Sequence, residues 1–212
     1  MRRFACLASR RKSVVSRFAR TNHWKVTFLV AWLIWLADYL TKQWALDYLP
    51  GKDIKIIGEF LQLQLSFNTG AAFGLGANGG GLLLSIFAIG ASCMVVYYAP
   101  FLTSRPWAIA FAMVLGGAIG NVTDRAFNYP GFFRGPVTDW IKLPNWPNFN
   151  LADSCIVLAA ILAFVLTVKI SIQLIAINQL MARTEAIARV WPNVTRRDHG
   201  NHPSRIGWRA SG

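Results

Sequence analysis

The chain has 212 residues, 54% of them hydrophobic and 15% charged, with a mean hydropathy of +0.38. These values exclude an ordinary soluble domain and fit a multi-span membrane protein. A net charge of +13 would suggest nucleic acid if it were spread along the chain, but residues 1–25 hold eight Lys/Arg and residues 169–212 hold seven. Clusters that flank apolar segments follow the positive-inside rule, so no nucleic-acid partner is expected.

Residues 1–23 read as a basic cytoplasmic tail without acids. An Arg-rich transit peptide has a similar composition, but the equally basic far end favours the tail. No small-residue cleavage site follows the first apolar run, which disfavours a cleaved secretory signal. Span one is expected from about Trp24 to Trp44, near the ~20 residues a bilayer core requires, with Trp at both ends. Asp38 and Lys42 lie four apart in its outer half, acid before base, the better order for a helical ion pair. An interfacial anchor is the plain reading of that pair.

Residues 47–75 are not a span. Apolar residues at Ile54 and Ile56, then Leu61, Leu63, Leu65 and Phe67, alternate with polar ones, which predicts short strands with one apolar face. A Gly-rich stretch, Phe67 to Gly76, follows, and its glycines permit tight backbone and close approach of a ligand. Span two is expected from about Gly81 to Ala99, stopped by Pro100. Span three is expected from Trp107 to about Ala126, where Gly116 and Gly120 make a small-residue packing face. Asn121, Asp124 and Arg125 share one face at its outer end. Two readings fit them: a packing knot in which Arg125 pairs with Asp124, or a chemical role for Asp124.

Residues 127–150 hold four prolines and read as a loop with a β-like piece at Val137–Trp140. Span four is expected from about Leu151 to Ile172, with Asn150 as N-cap and Asp153 at the third helical position. An acid there also complements the helix dipole, the plain reading of Asp153. The helix can extend amphipathically to about Val190, and a solvated basic tail follows, so residues 173–212 form a cytoplasmic extension. Cys6 lies in the basic tail, and Cys93 and Cys155 lie in apolar segments where burial as small hydrophobes is expected. No disulfide or zinc framework follows from that spacing, and no metal or other cofactor is expected.

The expected fold is therefore an all-α membrane protein with a small β element: four transmembrane helices over residues 24–172, both termini cytoplasmic, and a small sheet and loop on the outer face. This places polar groups from five stretches at one depth on one side. Scattered capping residues have no reason to share that depth, whereas a site does. Two carboxylates sharing a site resist joint ionisation, so one keeps a proton while the other can activate water. The pairs 124/139, 124/153 and 139/153 are all available. Pairing of Asp124 with Arg125 leaves Asp139 and Asp153 as the freer two, with Asp153 mainly the base and Asp139 mainly the acid. The rival readings are a transporter or channel, which would continue its polar path through the bilayer, and a purely structural membrane protein.

At these residues the sequence resembles the lipoprotein signal peptidase (signal peptidase II) family. The matching blocks are Asp38-Tyr-Leu-Thr-Lys42, Asn68-Thr-Gly-Ala-Ala-Phe-Gly74, Gly116-Gly-Ala-Ile-Gly-Asn-Val-Thr-Asp-Arg125, Val137-Thr-Asp-Trp140 and Phe149-Asn-Leu-Ala-Asp-Ser154, in the family's order. The resemblance implies an aspartic endopeptidase of the bacterial inner membrane with its site at the periplasmic face, and a monomer is expected. It implies cleavage of lipid-modified prolipoproteins just before the diacylglyceryl cysteine, with the acyl chains held beside membrane lipid. It also implies Asp139 and Asp153 as the catalytic pair, with Asn68, Gly70, Asn121, Asp124, Arg125 and Asn150 supporting the site or binding substrate, and Asp38 and Lys42 structural. Trp140 stands where the family more commonly has Phe.

Overall fold

A computed structural model describes residues 23–70 and 80–190. The basic N-terminal tail with Cys6, most of the Gly-rich stretch after Gly70, and the C-terminal tail from Trp191 lie outside the described residues. Two units are distinguished, the first ending at Leu166 and the second beginning at Thr167. All of the polar groups discussed below belong to the first.

Among the described residues, four helices are long and apolar enough to cross a membrane. Helix α1 spans Trp24–Tyr48, α2 spans Gly80–Tyr98, α3 spans Arg105–Phe127 and α4 spans Leu151–Val190. Each expected span coincides with one of them, and only Ala99 at the end of span two falls outside, in the turn that follows. Helix α4 has 40 residues, about twice the ~20 that a bilayer core needs, so the expected extension past Ile172 is helical. A 3-10 turn at Ala99–Phe101 contains Pro100 and stops α2. His23 donates its backbone N–H to Leu102 at 3.1 Å, which sets the start of α1 beside the turn between α2 and α3.

The alternating stretch forms two strands, β1 (Asp53–Ile57) and β2 (Leu61–Asn68), and the loop piece forms β3 (Val137–Lys142). The sheet is antiparallel in the order β1-β2-β3. Cross-strand pairs Ile54–Leu63 and Leu63–Ile141 align three apolar residues, but register shifts between Lys55 and Ile57 and between Leu63 and Ser66 break the expected alternation, so Phe67 pairs with Thr138 on the other face. The pairs Ser66–Asp139 and Asn68–Val137 then bring the polar end of that face into the protein. Strand β1 remains exposed throughout, while Val137, Thr138 and Asp139 are buried.

Helix α3 is the centre of the helical packing. Both α1 and α2 pack on it, and their shared core is small: Ala31, Val95, Ala112 and Leu115. Lipid removes the hydrophobic drive between helices, so close backbone approach does more of the work. A Cβ placed on Gly116 would sit 2.7 Å from the Ala31 carbonyl oxygen of α1, and one on Gly117 would sit 2.6 Å from the Ala152 carbonyl oxygen of α4. One on Gly120 would sit 2.5 Å from Asp38 Oδ2. The glycine face therefore admits α1 and the start of α4 close to α3. Large side chains such as Leu29, Ile86 and Phe164 point outward, as lipid-facing residues do. Cys93 is exposed on α2 and Cys155 is half-buried, so neither is the fully buried hydrophobe expected. A lipid solvent rewards an outward thiol no less than a core does.

Candidate active site

The site begins with the start of α4. Asn150 caps the helix: the Asp153 backbone N–H donates to Asn150 Oδ1 at 2.9 Å. The Asn150 N–H points back to Asp153 Oδ2 at 3.4 Å, the reciprocal half of a capping box. The expected cap is present, and so is the plain role of Asp153 within it. Capping does not use up either side chain. With its oxygen committed to a backbone N–H, Asn150 must turn its Nδ2 the other way, where it donates to Asp139 Oδ1 at 2.6 Å and to Asn121 Oδ1 at 3.1 Å.

Asn121 is oriented by the same logic. Its Oδ1 accepts from the Lys42 ammonium at 3.1 Å, and an ammonium can only donate. Its Nδ2 therefore faces Asp153 Oδ1 and donates at 2.7 Å. Each of the two aspartates thus receives an N–H from a different asparagine, and each asparagine is set by a group that cannot accept. Both carboxylates keep one oxygen outside these two side-chain bonds. Asn150 is fully buried, and Asp139 is 1% exposed.

Lys42 is the hub beneath them. It pairs with Asp38 at 2.7 Å and with Asp124 at 3.2 Å, and it is itself buried. Asp38 also accepts the Ala152 N–H at 2.9 Å, which ties α1 to the first turn of α4. The Asp38–Lys42 pair forms at the expected spacing and is buried. It lies inside the bundle because Gly120 leaves room for Asp38.

Asp124 departs from its expected pairing. Among the described residues it makes no ion pair with Arg125; it pairs with Lys42 and accepts the Thr138 backbone N–H at 2.8 Å. Adjacent residues on a helix point about 100° apart, so a neighbour in sequence is poorly placed to pair. Arg125 turns instead toward the Gly135 carbonyl, which its Nη1 reaches at 3.4 Å, and packs against Gly81 at the start of α2. Asp124 remains spoken for, but by Lys42.

Asn68 hydrogen-bonds Asp139 through its side chain, and its Oδ1 accepts the Gly70 N–H at 2.9 Å. Gly70 has φ of +92° and backs directly onto Gly81, a contact with no room for a Cβ. Burial first, and the charge of Asp153 second, push the Asp139 carboxyl from 3.8 up to about 7. The bonds from Asn150 and Asn68 and the charge of Lys42 act in the opposite direction. Asp139 is thus a carboxyl that holds its proton near neutral pH.

A cavity of about 380 Å³ opens beside this network. Its polar wall is Asn68, Asn121, Arg125 and Asp153, and α2 faces them with Leu84, Phe87 and Ala88. Asp153 lines this space, and Asp139 lies buried on β3. Among the described residues no three His, Cys, Asp or Glu side chains come together as metal ligands do.

The structure therefore brings together every candidate residue: Asp38, Lys42, Asn68, Gly70, Asn121, Asp124, Arg125, Asp139, Asn150 and Asp153. Sequence reasoning missed the backbone N–H groups of Thr138 and Ala152, each of which holds a carboxylate. It also missed the reach of Lys42 to α3. The excess of carboxylates over cations at this depth was the available signal for that reach.

The family model for Signal peptidase (SPase) II matches residues 30–169. A lipoprotein signal peptidase of Rhodococcus jostii (strain RHA1) is 43% identical over 141 residues, covering 66% of this chain and 71% of the relative. One from Streptomyces griseus subsp. griseus is 43% identical over 141 residues, with 66% and 70% covered. One from Mycobacterium leprae (strain Br4923) is 39% identical over 140 residues, with 66% and 69% covered. A bacterial membrane enzyme solved by the in meso method at 1.9 Å superposes with a TM-score of 0.60 at 26% identity, covering 68% of this chain and 94% of the other. A second, solved at 2.3 Å, gives 0.58 at 25% identity, with 68% and 88% covered.

Proposed function

This chain belongs to the signal peptidase II family, and from that premise we propose that it is an aspartic endopeptidase that removes signal peptides from diacylglyceryl-modified prolipoproteins. The cut falls before the lipidated cysteine, and Asp139 and Asp153 are the catalytic pair. The observation that supports the pair most directly is the Asn150 side chain, which donates to Asp139 while accepting the Asp153 backbone N–H.

In this reading Asp153, which borders the cavity, is the base, and Asp139, which holds its proton near pH 7, is the acid. Asp153 takes a proton from water as the water oxygen bonds to the scissile carbonyl carbon. The carbonyl oxygen receives the Asp139 proton, giving a neutral gem-diol. The C–N bond then breaks as the amine nitrogen takes the proton from Asp153, and a gem-diol hydroxyl returns its proton to Asp139. Both carboxyls end as they began, so one water is consumed and no covalent enzyme intermediate forms. Asn68, Asn121 and Arg125 border the same space and are assigned to the peptide backbone. The apolar wall from α2 faces the signal-peptide side chains.

The site lies in the outer half of a bacterial inner membrane, the N-terminus is cytoplasmic, and the enzyme acts as a monomer with the substrate's acyl chains in lipid. A channel reading finds less support, because the buried charged side chains gather at one end of the bundle. The test is cleavage of a diacylglyceryl-modified prolipoprotein by purified protein, with Asp139→Asn and Asp153→Asn alongside. Loss of cleavage in both variants is expected. Full cleavage by either would remove the pair, and an inert, folded wild type would remove the function.

A further inference from the structure

We propose that the loop from Phe127 to Arg134 is a lipid-interface anchor, with its aromatic side chains in the headgroup–acyl boundary beside the site and Arg134 on lipid phosphate. The inference rests on the four helices crossing a bilayer and is independent of which carboxylates are catalytic.

Within six residues the loop exposes Phe127 at 84%, Tyr129 at 93% and Phe132 at 88%. Three large rings held in water would be costly, and contiguous apolar exposure of this kind marks an interaction surface. Their backbone is firmly tied. The Asn128 N–H donates to Asp124 at 2.8 Å, that of Gly131 to Asn128 at 2.7 Å and that of Arg134 to Gly131 at 3.0 Å. The Gly135 N–H donates to the Arg125 carbonyl at 3.0 Å, and Ser85 of α2 donates its hydroxyl to the Phe133 carbonyl at 2.8 Å. Phe132 and Phe133 sit at φ of +50° and +63°, a left-handed conformation that bulky residues avoid and that this bonding sustains. Backbone groups satisfied internally are the condition for lowering a loop toward lipid.

Depth and charge identify the occupant. Helix α3 has 23 residues, about 34 Å at 1.5 Å per residue against a hydrocarbon core of ~30 Å, so Phe127 stands where the helix leaves the acyl region. At the same end of the bundle Trp44 and Tyr48 of α1 are also exposed, so the loop continues an aromatic belt. Arg134 is exposed and borders a groove with Pro130, Phe132 and Leu82. No acid lies between Phe127 and Arg134 to oppose a phosphate. Phe with a basic neighbour is the composition that seats an element in the interface.

The test uses the full chain in nanodiscs, with Cys6, Cys93 and Cys155 replaced by Ser and a nitroxide label on Phe132→Cys or, as a water-exposed reference, Lys52→Cys. Collision rates with oxygen, which partitions into lipid, and with a water-soluble nickel chelate report depth. The position 132 label is expected to favour oxygen over nickel, and Lys52→Cys the reverse. The oxygen preference is expected to deepen in phosphatidylglycerol relative to phosphatidylcholine, and Arg134→Ser is expected to abolish that difference. Nickel access at position 132 equal to that at 52 would overturn the proposal. So would protection that appears only when a peptide substrate is added, which would make the loop a substrate clamp. Catalytically inactive Asp153→Asn protein serves equally well, so failure of the anchor and failure of the proposed activity are separable.

Discussion

Asn150 donates its side-chain N–H to Asp139 at 2.6 Å, from a position where it also caps α4. One residue thus serves helix stability and the proposed chemistry, and the two are separable by substitution. Serine also caps helices, but its shorter side chain lacks the second arm that reaches Asp139. Asn150→Ser is expected to keep thermal stability within about 0.5 kcal/mol while lowering kcat by about 10²-fold or more. Asn150→Ala should lose activity and, with the cap, about 1 kcal/mol of stability. Equal activity in the wild type and Asn150→Ser would show that the N–H to Asp139 is dispensable.

Cleavage should decline as pH rises through about 7, because the proposed acid, Asp139, loses its proton there. A profile of kcat/KM flat from pH 6 to 9, once substrate integrity is controlled, would remove Asp139 as the acid. The stability counterpart has a definite sign. A carboxyl whose folded pKa is raised contributes stability that is complete below its ordinary value of 3.8 and is lost as pH rises through about 7. Melting temperature should therefore fall across that window in the wild type and fall less in Asp139→Asn, as read by thermal unfolding in detergent.

Lys42 compensates two carboxylates at once, Asp38 and Asp124. Removing one partner of a buried pair costs on the order of 3–5 kcal/mol, because the remaining charge has no counter-ion. Lys42→Met is expected to unfold at markedly lower temperature, and adding Asp38→Asn to it should restore part of the loss. A Lys42→Met protein as stable as the wild type would show that the pair is not buried as described.

Glycines along the helices differ sharply in what they allow. A Cβ on Gly120 would meet Asp38 Oδ2 at 2.5 Å, whereas one on Gly90 of α2 meets nothing within 4 Å. Gly120→Ala is expected to destabilise by about 1–3 kcal/mol through overpacking and to lower activity by displacing Asp38 from the start of α4. Gly90→Ala should be neutral or stabilising by up to about 1 kcal/mol. Thermal unfolding of the two variants side by side decides the matter, and equal losses would contradict the packing.

Much of the architecture was legible without coordinates. Four apolar runs of span length, the period-two stretch ending at Phe67 and the cap at Asn150 all depend on neighbours within a few residues. The gathering of Asn68, Asn121, Asp139 and Asp153 followed from the alternating direction of successive spans, which puts the end of span one, the end of span three and the start of span four on one side. Pairing was harder to read. Asp124 and Arg125 are adjacent in sequence and diverge on the helix, while Lys42, 82 positions before Asp124, comes within 3.2 Å of it.

The sequence by itself determined which segments are helices, where their polar ends fall and which acids share a depth, because helical and strand periodicity map position onto face by local geometry alone. Only the tertiary structure decided which donor meets which carboxylate. That depends on the rotation and separation of whole helices, set here by Gly116, Gly117 and Gly120, where a single added methyl would push α1 or α4 away. Approach at that distance lets Lys42 orient Asn121, and the cap orients Asn150, so that Asp153 and Asp139 each receive an N–H from a different helix-borne amide.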